Sequence, residues 1–154
     1  MQVSIYSRAD LESLSQEGIP YDTAVICFYE RNKGSMDLPL HIDSYQVAMN
    51  DTEPEELFLF ELAEKTFFSE ADVLAHFIFY AKTAGLKIIC VCETGVCRSA
   101  GCAAAIRQFF DRDGIEVFAS YDYSPNRLVY HRILNALIEE QAETGGAVQS
   151  YYCA

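Results

Sequence analysis

The chain has 154 residues, of which 51% are hydrophobic, and carries a formal net charge of −12. This length and apolar fraction predict one compact domain over residues 1–154, and no apolar run approaches the roughly eighteen residues that a membrane span needs. The negative charge repels polyanions, which argues against nucleic acid and phosphoinositide-rich membrane surfaces as partners.

The first half of the chain predicts three strands and one helix. Residues 1–6 alternate as a strand does and lack the basic start and long apolar core of a secretory signal, so we expect a cytoplasmic protein. A short helix follows from Ala9, with Ser7 as its candidate cap. Residues 23–29 form an apolar run that predicts the second strand, and residues 44–49 predict the third, which ends at Asn50 and Asp51.

The middle of the chain predicts a helix and then a buried strand. Ser69 followed by Asp72 resembles a capping box, and the helix that it opens ends at Gly85. The apolar stripe of this helix is Val73, Leu74, Phe77, Ile78 and Ala81. Residues 86–91 are almost continuously apolar, which is typical of a strand buried on both faces.

The last third predicts two helices. Residues 99–106 are so poor in bulk that their helix must pack tightly against a sheet. Ser124 as cap and Pro125 as first residue open the final helix, with an inward face of Leu128, Val129, Ile133, Leu134, Leu137 and Ile138. From about Thr144 the sequence predicts a loose tail. The alternation of strands and helices predicts an α/β fold, a three-layer domain with a central, mostly parallel sheet flanked by helices.

The loop between the buried strand and the small-residue helix carries a cysteine and an arginine separated by five residues. Its sequence is Cys92, Glu93, Thr94, Gly95, Val96, Cys97, Arg98 and Ser99. A helix N-terminus presents unpaired N–H groups and a partial positive charge, which favour both a thiolate and a phosphate. Gly95 lets the backbone curl, and Arg98 can bind two phosphate oxygens while its charge lowers the pKa of the thiol. The pattern predicts a phosphate-binding loop around a nucleophilic thiolate.

This segment resembles the active-site signature of cysteine-dependent protein tyrosine phosphatases, and is most similar to that of the small dual-specificity type. A second match supports the first, because Ser124, Pro125 and Asn126 resemble the start of the helix that follows the catalytic helix in that family. The resemblance covers about residues 42–137.

The resemblance implies a role for each matched residue. Cys92 would attack phosphorus, Arg98 would bind the phosphate and the transition state, and Ser99 would hydrogen-bond the sulfur so that the phosphocysteine can break down. The residues between Cys92 and Arg98 would bind phosphate with their backbone, and Asn126 would brace the loop. Two positions depart from the family pattern. Cys97 stands where serine is common, which invites redox chemistry, and Val91 stands where histidine is common, which removes a polar support of the thiolate.

The family also uses an aspartate to protonate the leaving group, and three residues are candidates for this general acid. Asp51 is the first, because it ends the strand before the covering helix, as the acid-bearing loop does in the family. Asp43 is the second candidate and Glu53 the third. The interval between Asp51 and the nucleophile is longer than expected, because residues 52–68 insert an acidic, aromatic stretch whose role is left open as a lid, a dimer surface or ordinary core.

Three other functions remain open at this stage. The four cysteines Cys90, Cys92, Cys97 and Cys102 have no paired-ligand spacing, which argues against zinc. A phosphate-binding module without turnover would keep Arg98 and lack a competent acid. A thiol redox protein or sulfurtransferase would oxidise or persulfidate Cys92 and resolve it with Cys97 or Cys90.

The sequence therefore predicts a phosphatase that acts through a phosphocysteine intermediate and needs neither a metal nor a cofactor. Its expected partners are a phosphorylated protein, bearing phosphotyrosine, phosphoserine or phosphothreonine, or a small phosphate ester. The oligomeric state stays open.

Overall fold

The computed structural model describes residues 1–51 and 68–152. Within them, four strands form one sheet, namely β1 (Val3–Ser7), β2 (Thr23–Tyr29), β3 (Asp43–Ala48) and β4 (Lys87–Cys92). Their order is β1-β4-β2-β3, and every neighbouring pair is parallel. Helices pack on both faces of the sheet, so the predicted α/β class with a mostly parallel sheet is confirmed. The stretch 52–67, which includes the candidate acid Glu53, lies outside the described residues.

The described helices are α1 (Arg8–Glu17), α2 (Ala71–Thr83), α3 (Arg98–Asp111), α4 (Ile115–Ala119) and α5 (Arg127–Tyr152). None of them combines the length and the apolar character that crossing a membrane requires. Helix α1 begins as predicted, because the Ser7 side chain accepts a hydrogen bond from the Asp10 backbone N–H and the Asp10 side chain accepts one from the Ser7 backbone. This reciprocal pair is a capping box.

The two central strands supply the core of both layers. Because neighbouring side chains of a strand point to opposite faces, Ala24, Ile26 and Phe28 of β2 pack under α2, α3 and α5, together with Ile88, Cys90 and Cys92 of β4. The alternate residues Val25, Cys27, Ile89 and Val91 pack with Leu11 of α1 on the other face. The continuous apolar pattern of β4 thus reflects burial on both faces, as predicted.

Helix α3 fits its small residues against the start of α5. A Cβ added to Gly101 would lie 2.5 Å from the Asn126 carbonyl oxygen, so only glycine permits this approach. Residues 99–106 are all fully buried, which confirms the tight packing predicted for this helix. The contact fixes the loop before α3 relative to Asn126.

The structure differs from the sequence prediction at several helix positions. Ser69 makes no capping hydrogen bond and α2 begins after Glu70. Val73 and Ile138 are exposed, since each lies at the edge of its apolar stripe. Helix α5 begins at Arg127, and its first free N–H groups are met by Asn126, whose side-chain oxygen accepts from the Val129 N–H at 3.0 Å.

The structure also differs from the loose tail that the sequence predicts from about Thr144. Helix α5 continues through this segment to Tyr152. Residues 139–144 are mostly strong helix formers, and each of the two glycines that follow costs only about 1 kcal/mol relative to alanine within a helix. The expected break therefore does not occur there.

Candidate active site

The loop that joins β4 to α3 is held against the junction of β1 and α1. The φ angle of Gly95 is 72°, a conformation that favours glycine, and an added Cβ would lie 2.7 Å from the Ser7 backbone nitrogen. The Arg8 N–H donates to the Glu93 carbonyl oxygen at 3.4 Å. Thus the glycine predicted to let the loop curl is required both by the turn and by this close approach.

The Cys92 thiol lies at the centre of this loop. Its side chain is 1% exposed, and its Sγ is 3.0 Å from the Ser99 hydroxyl. Burial alone would raise the pKa of Cys92, but hydrogen bonds from the Ser99 hydroxyl and from the backbone N–H groups of Ser99, Gly95 and Cys97 outweigh it, so the net effect lowers the pKa. The loop therefore favours the thiolate, the nucleophilic form of cysteine, at Cys92 more than water favours it at an ordinary thiol.

The Arg98 side chain is buried beside the loop and contacts two residues that directly follow the neighbouring strands β3 and β2. Its Nη1 donates to the Met49 carbonyl oxygen, and its Nη2 lies 3.9 Å from Oε1 of Glu30. The Nε of Arg98 is buried and has no hydrogen-bond partner among the described residues. A buried, unsatisfied donor costs about 1–3 kcal/mol, and a hydrogen-bond acceptor placed at this Nε would relieve the cost.

A network of charged side chains borders the loop. The Lys33 Nζ lies 3.6 Å from Oε2 of Glu30 and 3.4 Å from Oε1 of Glu93. Lys33 thus balances two carboxylates that stand next to the loop between β4 and α3. An open pocket of about 400 Å³ beside this network is lined by Glu30, Arg31, Asn32 and Asn50.

Two of the three candidate acids, Asp51 and Asp43, lie among the described residues and flank opposite ends of β3. Asp51 follows the carboxyl end of β3, and its Oδ1 accepts a hydrogen bond of 2.6 Å from Nδ2 of Asn126. Asp43 begins β3 and accepts a hydrogen bond of 2.8 Å from the Tyr80 hydroxyl. The strand register puts Asp43 beside Ala24, which is beside Ile88, four residues before the nucleophile. This is about 13 Å along the strands, so Asp43 is excluded as the acid by its position at the opposite end of the parallel sheet.

Asn126 connects three parts of the site. It is fully buried, its backbone N–H donates to the Cys97 carbonyl oxygen at 2.9 Å, and its side chain binds both Asp51 and the start of α5. The neighbouring Ser124 N–H donates to the Val96 carbonyl oxygen at 3.0 Å. Ser124 therefore contacts the loop between β4 and α3, and Asn126 rather than Ser124 caps α5.

Three other described cysteines lie in the loop or in the elements that flank it, namely Cys90 in β4, Cys97 in the loop and Cys102 in α3. The Sγ atoms of Cys90 and Cys102 are 3.6 Å apart and both residues are fully buried. Cys97 is partly exposed, and all five described cysteines are free thiols. Across residues 1–51 and 68–152, no group of three or more histidine, cysteine and acidic side chains has an arrangement that could hold a metal ion.

The sequence analysis missed two residues of the site. Glu30 and Lys33 were not singled out, although Glu30 directly follows β2, and strand ends beside β4 must lie near the loop. The sequence analysis expects the N–H groups of the helix N-terminus and the charge of Arg98 both to favour the Cys92 thiolate. Among the causes that lower the pKa of Cys92, the largest are hydrogen bonds from the Ser99 hydroxyl and from the backbone N–H groups of Ser99, Gly95 and Cys97.

Comparison with known proteins bears on the fold. The sequence matches no protein-family model, and no curated protein matches it. Among solved structures, the human tyrosine phosphatase-like serine/threonine/tyrosine-interacting protein is similar with a TM-score of 0.54 and 19% identity, over 90% of this chain and 86% of that one. A mouse putative dual specificity phosphatase, complexed with zinc tungstate, gives a TM-score of 0.53 and 18% identity over 86% of this chain and 78% of that one.

A third solved structure, PTPMT1 in complex with PI(5)P, gives a TM-score of 0.54 and 14% identity over 93% of this chain and 94% of that one. These likenesses extend over 86–93% of this chain. The chain therefore has the fold of the cysteine-dependent protein tyrosine phosphatases, in the form found in the small dual-specificity phosphatases.

Proposed function

We propose that this protein is a cysteine-dependent phosphatase that hydrolyses phosphate monoesters through a phosphocysteine intermediate. The observation that carries the proposal is the Cys92 thiol, which is held by backbone N–H groups and the Ser99 hydroxyl, has a lowered pKa, and lies in the same loop as the buried Arg98. A thiol redox or sulfurtransferase reaction would use the thiolate, but it has no need of the Arg98 Nε, which is buried and has no hydrogen-bond partner among the described residues.

The first step would transfer the phosphoryl group to sulfur. The Cys92 thiolate attacks phosphorus, the bond from phosphorus to the ester oxygen breaks, and Asp51 gives its proton to the departing oxygen. Arg98 and the loop N–H groups bind the equatorial phosphate oxygens, where charge is spread in the transition state. Asp51 is on the right edge of the sheet for this role, because β3 and β4 are parallel and end at the same edge.

The second step would release phosphate. Water attacks phosphorus, Asp51 as carboxylate accepts the proton of that water, and the bond from phosphorus to sulfur breaks. The Ser99 hydroxyl, at 3.0 Å from Sγ, stabilises the departing thiolate. Val91, which stands where histidine is common in the family, is fully buried on the α1 side of the sheet. The valine therefore removes none of the hydrogen bonds that the described loop donates to the Cys92 sulfur.

The proposed substrates are phosphotyrosine, phosphoserine or phosphothreonine of a protein, or a small phosphate ester, in the cytoplasm. The net charge of −12 and the carboxylates of Glu30 and Glu93 at the rim disfavour substrates with several phosphates. For this reason we propose neither a nucleic acid nor a membrane surface as partner, although one structural neighbour was crystallised with PI(5)P.

The test is hydrolysis of p-nitrophenyl phosphate in the presence of a reductant, from mildly acidic to neutral pH. Cys92→Ser and Arg98→Ala should each reduce hydrolysis to background, and Cys92→Ser should still bind vanadate. Cys27→Ser is the matched control, since Cys27 is equally buried and lies on the opposite face of the sheet, and it should keep full activity. Normal hydrolysis by Cys92→Ser would end the covalent mechanism, whereas Arg98-dependent vanadate binding without any hydrolysis by the unaltered protein would favour a phosphate-binding module.

A further inference from the structure

The side chain of Asn126 connects the phosphate loop and α5 to the candidate general acid, although Asn126 and Asp51 are 75 residues apart in the chain. The orientation of this amide follows from its neighbours. Its Oδ1 must face the Val129 N–H, which can only donate, at 3.0 Å. Its Nδ2 therefore faces Oδ1 of Asp51 at 2.6 Å, where an amide oxygen would instead meet a carboxylate oxygen.

This contact makes the two oxygens of Asp51 unequal. Oδ1 accepts a short hydrogen bond from an amide whose own position is fixed by burial and by the helix cap. Oδ2 makes no hydrogen bond to any described residue. A proton on Oδ1 would point at the Nδ2 hydrogens and be repelled, so the acid form of Asp51 carries its proton on Oδ2.

We infer that Asn126 is a positioning residue for the general acid, because its amide holds Oδ1 of Asp51 and leaves Oδ2 to donate the proton to the leaving group. This inference rests on the proposed function. It adds a second role to the loop support expected of Asn126, since the backbone N–H of the same residue binds the Cys97 carbonyl. One buried residue thus sets the distance between the acid and the nucleophilic loop.

The variant that isolates the side-chain donor is Asn126→Asp. Aspartate caps helices as well as asparagine does, so the hydrogen bond from Val129 is kept, while the donor to Asp51 is replaced by a second acceptor. Asn126→Ser is the second variant, for the case in which the buried carboxylate of Asn126→Asp prevents folding. Serine also caps helices and adds no charge. The Asp51→Asn background serves as the control in which no acid remains to be positioned.

The measurement is kcat/KM for phenyl phosphate, which has a poor leaving group, and for p-nitrophenyl phosphate, which has a good one. We expect both Asn126 variants to lose about 10- to 100-fold on phenyl phosphate, a part of the 10²–10⁴-fold that a positioned acid contributes, and only a few-fold on p-nitrophenyl phosphate. The inhibition constant of inorganic phosphate should be unchanged, since the loop is intact. In the Asp51→Asn background the same substitutions should add no further difference between the two substrates.

An equal loss on both substrates, or a loss that persists in the Asp51→Asn background, would show that Asn126 supports only the loop and would overturn the inference. A urea-unfolding cycle of Asn126→Ser and Asp51→Ala tests the contact without activity, and we expect the double variant to lose less than the sum of the single losses in midpoint. Fully additive midpoints would overturn the contact itself. If the unaltered protein shows no Cys92-dependent hydrolysis, both the proposed function and the role of Asn126 in catalysis are wrong. If it hydrolyses the substrates, but the unfolding midpoints are additive and the Asn126 variants leave the difference between the two substrates unchanged, only the inference about Asn126 is wrong.

Discussion

Cys92 and Cys27 are both cysteines that are 1% exposed, yet the pKa values of their thiols are shifted in opposite directions. They lie on the adjacent strands β4 and β2, on opposite faces of the sheet. The pKa of Cys27 is raised from 9.0 to about 11, chiefly by burial. The pKa of Cys92 is lowered although burial is also its largest single contribution. Burial alone therefore does not decide the state of a thiol in this protein.

Positive charge does not explain the difference. Arg8 and Arg98 both lower the pKa of Cys27, and burial still prevails. What Cys92 has, and Cys27 lacks among its main influences, is a set of direct hydrogen bonds from Ser99, Gly95 and Cys97. Hydrogen bonds to the charged form favour that form at short range, even where water is excluded. The contrast assigns the lowered pKa of Cys92 to the hydrogen bonds that the loop provides.

The largest effect that the comparison predicts is in thiol alkylation. Below its pKa, each unit by which a pKa rises reduces the thiolate fraction tenfold, so Cys27 near 11 should react with iodoacetamide more than about 100-fold more slowly than Cys92 at neutral pH. The midpoint of the pH dependence at Cys92 should lie below that of an ordinary thiol because its folded pKa is lowered, whereas the rate at Cys27 should still rise toward pH 11. Mass spectrometry of the alkylated peptides measures both rates.

Vanadate supplies the control for this experiment, because it should protect Cys92 and leave Cys27 unchanged. Equal reactivity of the two thiols at pH 7 would mean that the loop hydrogen bonds do not stabilise the thiolate, and the comparison would lose its basis.

A smaller effect should follow from removing one of the donors. Ser99→Ala deletes the hydroxyl at 3.0 Å from Sγ of Cys92, and a hydrogen bond to a charged group contributes about 1.5–3 kcal/mol. We expect kcat to fall by about 10- to 100-fold and the midpoint of Cys92 alkylation to move to higher pH, since a contribution that lowers its pKa is lost. Stopped-flow measurement of phosphocysteine breakdown checks the first result and the pH series checks the second.

Ser15→Ala is the matched control for that change, because the Ser15 hydroxyl is buried and has no hydrogen-bond partner among the described residues. It should leave both kcat and the alkylation midpoint unchanged. An unshifted midpoint in Ser99→Ala would show that the backbone N–H groups alone hold the thiolate.

Local patterns explain why much of the fold was predictable. The apolar run of β4, the glycine in the loop and the small residues of α3 each constrain their own neighbourhood, so the sequence predicts the strand, the turn and the tight helix in the right places. These features depend on residues close together in the chain. The contact between Asn126 and the loop joins more distant residues, and the sequence indicates it only through the resemblance of the segment around Asn126 to the phosphatase family.

Contacts between distant segments were not predictable in the same way. Asp43 and Asp51 both flank β3, and only the strand register shows that one lies at the far end of the sheet and the other near Asn126. The pairing of Lys33 with both Glu30 and Glu93 depends on where a loop after β2 crosses the loop after β4. No periodic pattern encodes such a crossing, because the side chains involved are polar and partly exposed.

The smallest predicted effect concerns this charged rim. Lys33→Met leaves Glu30 and Glu93 unbalanced beside the incoming phosphate and should therefore raise KM for p-nitrophenyl phosphate. Because exposed ion pairs contribute about 0–1 kcal/mol, we expect an increase of at most about fivefold. The increase should become smaller at high salt. Lys87→Met is the matched control, since Lys87 is 51% exposed against 44% for Lys33 and has a carboxylate at the same 3.6 Å, but begins β4 at the opposite end of the sheet. It should leave KM unchanged. The alkylation midpoint of Cys92 should not move in either variant, because Lys33 acts on the phosphate and not on the sulfur; a large shift of that midpoint in Lys33→Met would instead assign the state of the thiol to the rim charges.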